Sequence, residues 1–422
     1  MKLPSGSETR HARGVSVVNE FQHAWRERVM SGCILPFDVE PRKKVLARDY
    51  RVTGKFPIVD QGQELIAGWT DDKSAVITDG LPLIVFGDHT RVFKFVDFPF
   101  AIGADGTKLL RPVSELDPRF FYFACLALDI PSRGYNRHFK ILREQLVRYP
   151  EKSEQEKVAA VLWKIQKAVE IEGAIVRNMR DLKKSLLRRL FTHGLRGEPL
   201  KETEIGPLPE SWDVEPLSEI REFLQYGTSQ RCDLSGKGFP VLRIPNVIAG
   251  KIDTSEIKYA DMPSKAAENL RLAHGDLLFV RTNGQRDYVG RCAVYKSEPT
   301  NALFASYLIR ARLFTDRANP DFVQAYTMTD AGKSFLSGRS HGAADGKFNI
   351  NTQTIDNTLV PVPSPHEQRE IADILQTVDR KIDIHESKKR SLQDLFKTTL
   401  HKLMTAQIRV NDSDLDTSEV NA

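Results

Sequence analysis

The sequence predicts an α+β protein in which two globular domains of mixed strand and helix alternate with two long helices. Three observations predict this. Residues 154 to 191 recur at 367 to 404 under a constant shift of 213 positions (367 minus 154) without a gap. Both copies place apolar residues at alternating steps of three and four, the spacing of one helix face. The intervening stretches, 31–150 and 207–362, are similar in length, rich in short β-type runs, and look little alike in sequence.

The repeat is detailed. Glu154-Gln155 meets Glu367-Gln368, Val158-Ala159 meets Ile371-Ala372, and Val161-Leu162 meets Ile374-Leu375. Asp181-Leu182 meets Asp394-Leu395, Leu187 meets Leu400 and Leu190 meets Leu403. In the first copy the stripe runs Val158, Val161, Ile165, Ala168, Ile175, Met179, Leu182, Leu186, broken only by Glu172; the second carries Lys381, His385 and Lys388 on its seam. Such a seam requires another helix against it. Each helix has a start signal: Ser364-Pro365-His366-Glu367 reads as a capping box with proline at the first helical position, and Ser153 to Glu156 repeats the Ser and Glu spacing.

Strand runs fill the other segments. In the first, Ala75 to Thr78, Leu83 to Phe86 and Val92 to Val96 are bounded by Gly80, Gly87 and Asp88. In the second, Val241 to Ile244, Asp276 to Val280, Cys292 to Tyr295 and Tyr307 to Arg310 play the same part, and Pro320 to Leu336 reads as a helix. Val15 to Val29 also has helical character. The expected boundaries are 1–150 for the N-terminal segment and first domain, 151–196 for the first long helix, and 197–362 for the linker and second domain. The second long helix follows at 363–408 and an acidic tail at 409–422.

A chain of 422 residues exceeds one ordinary core. No apolar run reaches the roughly 18 residues of a membrane span, and Met1 to Arg13 lack an apolar signal core, so a cytoplasmic location without membrane contact is expected. Cys33, Cys125, Cys232 and Cys292 are far apart, which predicts reduced thiols and no structural zinc. The net charge of +5 alone does not indicate nucleic acid. Arg177, Arg180, Lys184 and Arg188, however, share one helix face, either as a solvated surface or as a ridge facing phosphates or a partner.

Tests for an active site fail. Gly332-Lys333-Ser334 lacks the first glycine of a phosphate-binding loop, because position 327 is threonine. Asn319-Pro320-Asp321-Phe322 lacks the second proline of an amino-methyltransferase loop, and Glu256-Ile257-Lys258 has no Pro-Asp partner for a nuclease site. No Gly-x-Ser-x-Gly presents a nucleophile. A binding protein without metal or cofactor of its own is expected.

Recognition chemistry is better represented. Arg281, Thr282, Asn283, Gln285 and Arg286 form a stretch dense in base-reading groups, since arginine can donate twice to guanine and asparagine or glutamine can pair with adenine. Asn283-Gly284 is equally the usual two-residue hairpin turn. Tyr226, Thr228 and Ser229, with Arg243 and Asn246, supply further polar tips near strand ends. In the first domain, Gly87, His89, Thr90 and Arg91, with Tyr135, Arg137 and His138, do likewise.

At this point the chain resembles a known family. The repeated Glu-Gln-x-x-(Val/Ile)-Ala-x-(Val/Ile)-Leu start and the link Ile205 to Val214 are similar to the specificity subunit of type I restriction-modification systems. So are Gly227-Thr228-Ser229, Arg243 to Asn246, Gly275 to Gly284 and Val360 to Pro363, while Phe86 to Arg91 is similar to a second target-recognition domain type. The likeness runs from about Gly54 to Met404; Tyr149-Pro150-Glu151-Lys152 replaces the Pro-x-Pro lead-in seen before the second helix, and residues 1–30 match less clearly.

The resemblance implies two target-recognition domains separated by two antiparallel helices forming a coiled coil. Each domain would read one half of a split site in double-stranded DNA. Chemistry would belong to partners: two methyltransferase subunits using S-adenosylmethionine, and restriction or motor subunits using ATP and Mg2+. A helix from Glu154 to Phe191 would extend about 57 Å, a ruler for the unspecific spacer. The alternative within the family is a related system whose partner fuses methyltransferase and nuclease. From other classes, a stand-alone nuclease would need a carboxylate cluster, and a coiled-coil scaffold would not retain DNA selectively.

Overall fold

The computed structural model describes residues 25–36, 44–103, 106–132, 134, 136–342 and 346–410. The chain forms two compact units, Met1–Gly173 with Ser387–Ala422, and Ala174–Glu386. Each unit therefore holds one globular domain, half of the first long helix (Lys152–His193) and half of the second (Pro365–Met404).

Both helices begin at the same point of the repeat and end alike, but their first turns are capped differently. Their first residues, Lys152 and Pro365, obey the shift of 213 found in the sequence (365 minus 152). At the second start the Ser364 hydroxyl accepts from the Glu367 N–H at 3.3 Å. At the first, Ser153 lies inside the helix and the Glu151 carbonyl receives Glu154 and Gln155, so the expected serine cap is replaced by a backbone one. Each helix stops where a residue turns left-handed, Gly194 at φ 58° and Ala406 at φ 54°. A Cβ at Gly194 would meet Glu367 Oε1 at 2.9 Å, which suits glycine there.

The helices run antiparallel. In the second unit Arg180 pairs with Glu386, and three residues later Lys183 grips both carboxylate oxygens of Asp379 at 2.6 and 2.8 Å. In the first unit Lys388 meets the buried Glu172 at 2.6 Å, and Arg409 meets Glu154 at 3.3 Å. The two departures from the apolar seam thus answer each other.

The domains share one plan despite their dissimilar sequences. In the first unit an antiparallel sheet has the order Ile34–Leu35, Thr107–Pro112, Leu83–Gly87, Phe93–Val96. In the second the order is Arg221–Tyr226, Leu308–Leu313, Leu277–Val280, Cys292–Val294, again antiparallel. A second sheet in each contains one parallel pair, Phe56–Val59 with Phe100–Ile102 and Phe239–Leu242 with Leu303–Phe304. Each domain is closed by an outer antiparallel pair, Arg26–Val29 with Leu146–Tyr149 and Asp213–Pro216 with Leu359–Val362.

The same side chains anchor both copies. Trp25 stands edge-on to Phe120 at 6.1 Å, and Trp212 stands edge-on to Phe322 at 6.1 Å. Those phenylalanines open two short helices, Pro118–Leu126 and Pro320–Thr327, capped by Asp117 and Asn319. Gln155, fully buried, donates Nε2 to the carbonyls of Pro150 (2.9 Å) and Glu115 (3.1 Å) and accepts from the Asp117 N–H (2.8 Å). Gln368 does the same with Pro363 (2.9 Å), Arg317 (2.9 Å) and Asn319 (2.7 Å). The largest apolar cluster of each unit surrounds these junctions.

Several local expectations change. Residues 15–24 of the expected N-terminal helix lie outside the described residues, and Arg26–Val29 is a strand because it pairs with Leu146–Tyr149. The expected helix from Pro320 to Leu336 is two, since the Thr329 hydroxyl accepts from the Gly332 N–H and restarts it as Asp330–Gly338. Asn319-Pro320 is thereby a helix cap and Gly332-Lys333-Ser334 a helix interior. The run near Ala75 shortens to Val76–Ile77, and the run near Val241 shifts two residues earlier to Phe239–Leu242.

Candidate nucleic-acid interface

In the second domain the antiparallel order brings three strand ends to one edge. Tyr226 ends its strand, Tyr307 precedes the central one, and Arg281 follows the third, with Tyr226 opposite Ile309 and Val280 opposite Leu308. Arg281 is fixed from both sides: its N–H donates to the Tyr307 carbonyl at 2.9 Å, and its carbonyl accepts from Ile350 at 3.0 Å. Its guanidinium carbon lies 5.0 Å from the centre of the Tyr226 ring, and Nη1 donates to the Ser306 carbonyl at 3.3 Å. Stacking on an aromatic face leaves the in-plane donors of an arginine pointing outward.

The chain beside this pair is close-packed. A Cβ on Gly227 would fall 2.2 Å from the Phe304 carbonyl oxygen, so only glycine lets the backbone approach there. Thr228, next in line, bridges to Ala305 and accepts the Gln230 N–H on its hydroxyl at 3.0 Å. Ser229 is exposed. Asn283 is not in a two-residue hairpin: with Thr282 it pairs with Phe348–Asn349, and its side chain accepts the Gln285 N–H at 2.9 Å. Gln285 is exposed.

Five of the expected contact residues have partners within the fold. Asn246 is buried; its oxygen accepts the Arg243 N–H and its amide donates to the carbonyls of Asp253 and Glu256 at 2.8 and 3.0 Å. Thr282 is buried within its strand pair. Arg286 donates to the carbonyls of Ser337 (3.0 Å) and Gly338 (2.6 Å), closing the C-terminal end of that helix. His138 is fully buried against Asp88, whose carboxylate accepts the N–H groups of His138 and Phe139 at 2.8 and 2.7 Å. Arg243 is engaged with Glu256 at 3.0 Å.

In the first domain the turn after Leu83–Gly87 packs on Gln61. The Thr90 hydroxyl donates to the Gln61 carbonyl at 2.5 Å, and the His89 N–H reaches the Gln61 side chain at 3.3 Å. A Cβ on Gly87 would sit 2.1 Å from that hydroxyl. Arg91 donates to the Ile130 carbonyl at 2.8 Å and is exposed, as is Arg137; Tyr135 lies outside the described residues. Beneath the turn, buried Lys94 donates to the carbonyls of Asp60 (2.8 Å) and Glu64, and burial lowers its pKa.

Sequence reasoning missed Tyr307, which is 58% exposed at the arginine's side, and Gln61. An aromatic standing at the head of a β-type run was the available signal for the first; nothing marked the second.

The central acid of the second domain is structural. Asp276 receives Arg312 through two donors at 2.8 and 2.9 Å and the Ala273 N–H at 2.8 Å, with Arg310 at 3.5 Å. Burial lowers the Arg310 pKa, whereas the hydrogen bonds to Asp276 raise that of Arg312. Among the described residues no group of three or more His, Cys, Asp or Glu side chains could hold a metal. No helix there is long and apolar enough to cross a membrane.

Comparison with known proteins adds to this geometry. Residues 209–394 match the family model for the type I restriction modification DNA specificity domain. The chain is 27% identical over 208 residues to the putative type I restriction enzyme MjaX specificity subunit of Methanocaldococcus jannaschii, covering 47% of this chain and 48% of that one. It is 28% identical over 236 residues to the type I restriction enzyme EcoKI specificity subunit of Escherichia coli, covering 51% and 50%. The chain spans about half the length of these curated relatives. In fold it is similar to the crystal structure of the type I restriction-modification system S subunit from M. genitalium, with TM-score 0.61, 17% identity, and coverage of 90% of this chain and 96% of that one.

Proposed function

We propose that this chain, which belongs to the family of type I restriction-modification specificity subunits, is the DNA-reading component of such a complex and leaves the chemistry to partners. The first target-recognition domain lies within residues 1–150 and the second within 197–362, each reading one half of a bipartite site. The observation that carries the reading is one domain plan used twice with different tips. Tyr226, Arg281 and Tyr307 occupy one tip, and His89, Thr90 and Arg91 the other.

In this reading Arg281 offers its free donors to a guanine edge while Tyr226 holds its plane. Thr228, Ser229, Asn283 and Gln285 border it. Arg91 and Arg137 meet phosphate or base in the first domain. The helices set the unspecific spacer and seat two methyltransferase subunits, which supply S-adenosylmethionine chemistry; motor subunits supply ATP- and Mg2+-dependent work. Mapping N6-methyladenine across the host genome with and without this gene tests the proposal. A bipartite methylated motif should vanish on deletion, and an unchanged methylation map overturns the reading.

A further inference from the structure

We propose that the half-site of the first domain is read through Arg91, presented by a turn that Gln61 clasps from behind, so that Gln61 is a positioning residue for specificity. The inference rests on the reading of residues 1–150 as holding a target-recognition domain, and it names the residues on which that domain's selectivity turns.

The tips of the two domains stand at one place in the shared plan. Gly87 pairs with Thr107 at the end of its strand as Val280 pairs with Leu308. The next residue, Asp88 or Arg281, donates its N–H to the carbonyl just before the partner strand, Gly106 at 2.7 Å or Tyr307 at 2.9 Å. The neighbouring parallel pairs agree, since the Gly103 N–H donates to Val59 and the Ala305 N–H to Leu242, each at 2.9 Å. Asp88 therefore holds the place of Arg281, and Gly106 that of Tyr307.

The same place is filled by opposite chemistry. Asp88 is only 2% exposed and turns inward, its carboxylate accepting the N–H groups of His138 and Phe139, so it offers nothing to a base. Gly106, at φ 92°, leaves the room beside it to Gln61: a Cβ there would fall 2.6 Å from Gln61 Oε1 and 3.0 Å from the His89 ring. The Gln61 carbonyl accepts the Thr90 hydroxyl at 2.5 Å, and Oε1 accepts the His89 N–H at 3.3 Å. Buried Lys94 donates to the Asp60 carbonyl at 2.8 Å and to that of Glu64, which fixes the chain on both sides of Gln61. The cation of this tip stands three residues after Asp88. Arg91 is exposed, yet its backbone is left-handed at φ 63°, a region that arginine seldom adopts. Its N–H donates to the Gly87 carbonyl at 2.7 Å and its Nη1 to that of Ile130 at 2.8 Å. Backbone strain of this kind persists only where the surroundings over-determine it, and it gathers at ligand-binding sites. Gln61, Gly87 and Ile130 supply that determination.

The test returns each full-length variant to the host lacking this gene and reads the N6-methyladenine motif by sequencing. Gln61→Met, which keeps the length and loses the acceptor, should relax one half of the motif, the half that Arg281→Ala leaves alone. Discrimination there should fall about tenfold or more, measured by anisotropy on duplexes of the motif altered in one half at a time. Gln61→Glu keeps the acceptor for the His89 N–H and should keep the motif. Arg91→Gly and Arg91→Ala should both relax the same half as Gln61→Met, while Arg91→Gly, which adopts a left-handed backbone without strain, should melt at the higher temperature of the two. An unchanged motif in Gln61→Met or in Arg91→Gly overturns the proposal, and so does an equal weakening of both halves. If deleting the gene alters no methylation, the DNA-reading function itself fails; a motif lost on deletion but untouched by these variants removes only the clasp.

Discussion

The guanidinium of Arg281 lies over the ring of Tyr226, 5.0 Å from its centre. If that stacked arginine reads a base, Arg281→Ala should cost about 1 to 3 kcal/mol of binding and relax only the half-site of the second domain. Arg281→Lys should recover little, since lysine cannot present the planar pair of donors. Fluorescence anisotropy on cognate and scrambled duplexes checks this; equal loss on both, with a shallower salt dependence, would make Arg281 a phosphate contact.

The buried glutamines predict matched losses of stability. Gln155→Ala and Gln368→Ala each remove one acceptor and two donors from three backbone groups. Each should cost about 2 to 3 kcal/mol. Urea unfolding with hydrogen exchange should localise the first loss to the unit holding the first domain and the second to the other.

Thiol chemistry gives a pH prediction. Burial pushes the Cys33 thiol from the ordinary 9.0 up to about 11, and burial also raises Cys125 and Cys292. A thiol held neutral by the fold contributes stability that is complete below the ordinary value of 9.0 and is lost as pH rises through about 11. Thermal melts between pH 8 and 11 should therefore fall less for Cys33→Ala than for the parent chain. At pH 8, iodoacetamide should label Cys232 first, as the one cysteine of the four that is not buried; rapid labelling of Cys33 in the folded chain would contradict the burial argument.

The ruler reading predicts a change in spacing. Adding one turn to both long helices should lengthen the unspecific spacer by about 1 to 2 base pairs. Methylation-site sequencing reads the spacer directly, and an unchanged gap would refute the ruler.

The long helices were legible because a buried seam constrains composition at every third or fourth position, which preserved the repeat without a gap. The duplicated domain plan was not. Its strands are two to six residues long, so few positions in each are held by packing, and loops of different lengths remove any constant shift. The surviving traces were small: Trp25 and Trp212, or Asp117-Pro118 and Asn319-Pro320, which read as isolated residues until their contacts were seen. Polar tips were also ambiguous by nature. Asn246 and His138 have the chemistry of base readers, but their side chains meet backbone carbonyls of the fold, Asp253 and Asp88.

The apolar steps along the two long helices repeat, so sliding one past the other by a turn would bring oil against oil again at most levels. Glu172 and Lys388 remove that degeneracy. A misaligned pair would bury a carboxylate with no ammonium to meet it, at a cost of about 3 to 5 kcal/mol. The least oily rung of the ladder is thus the one that decides which alignment the strands of the coil adopt.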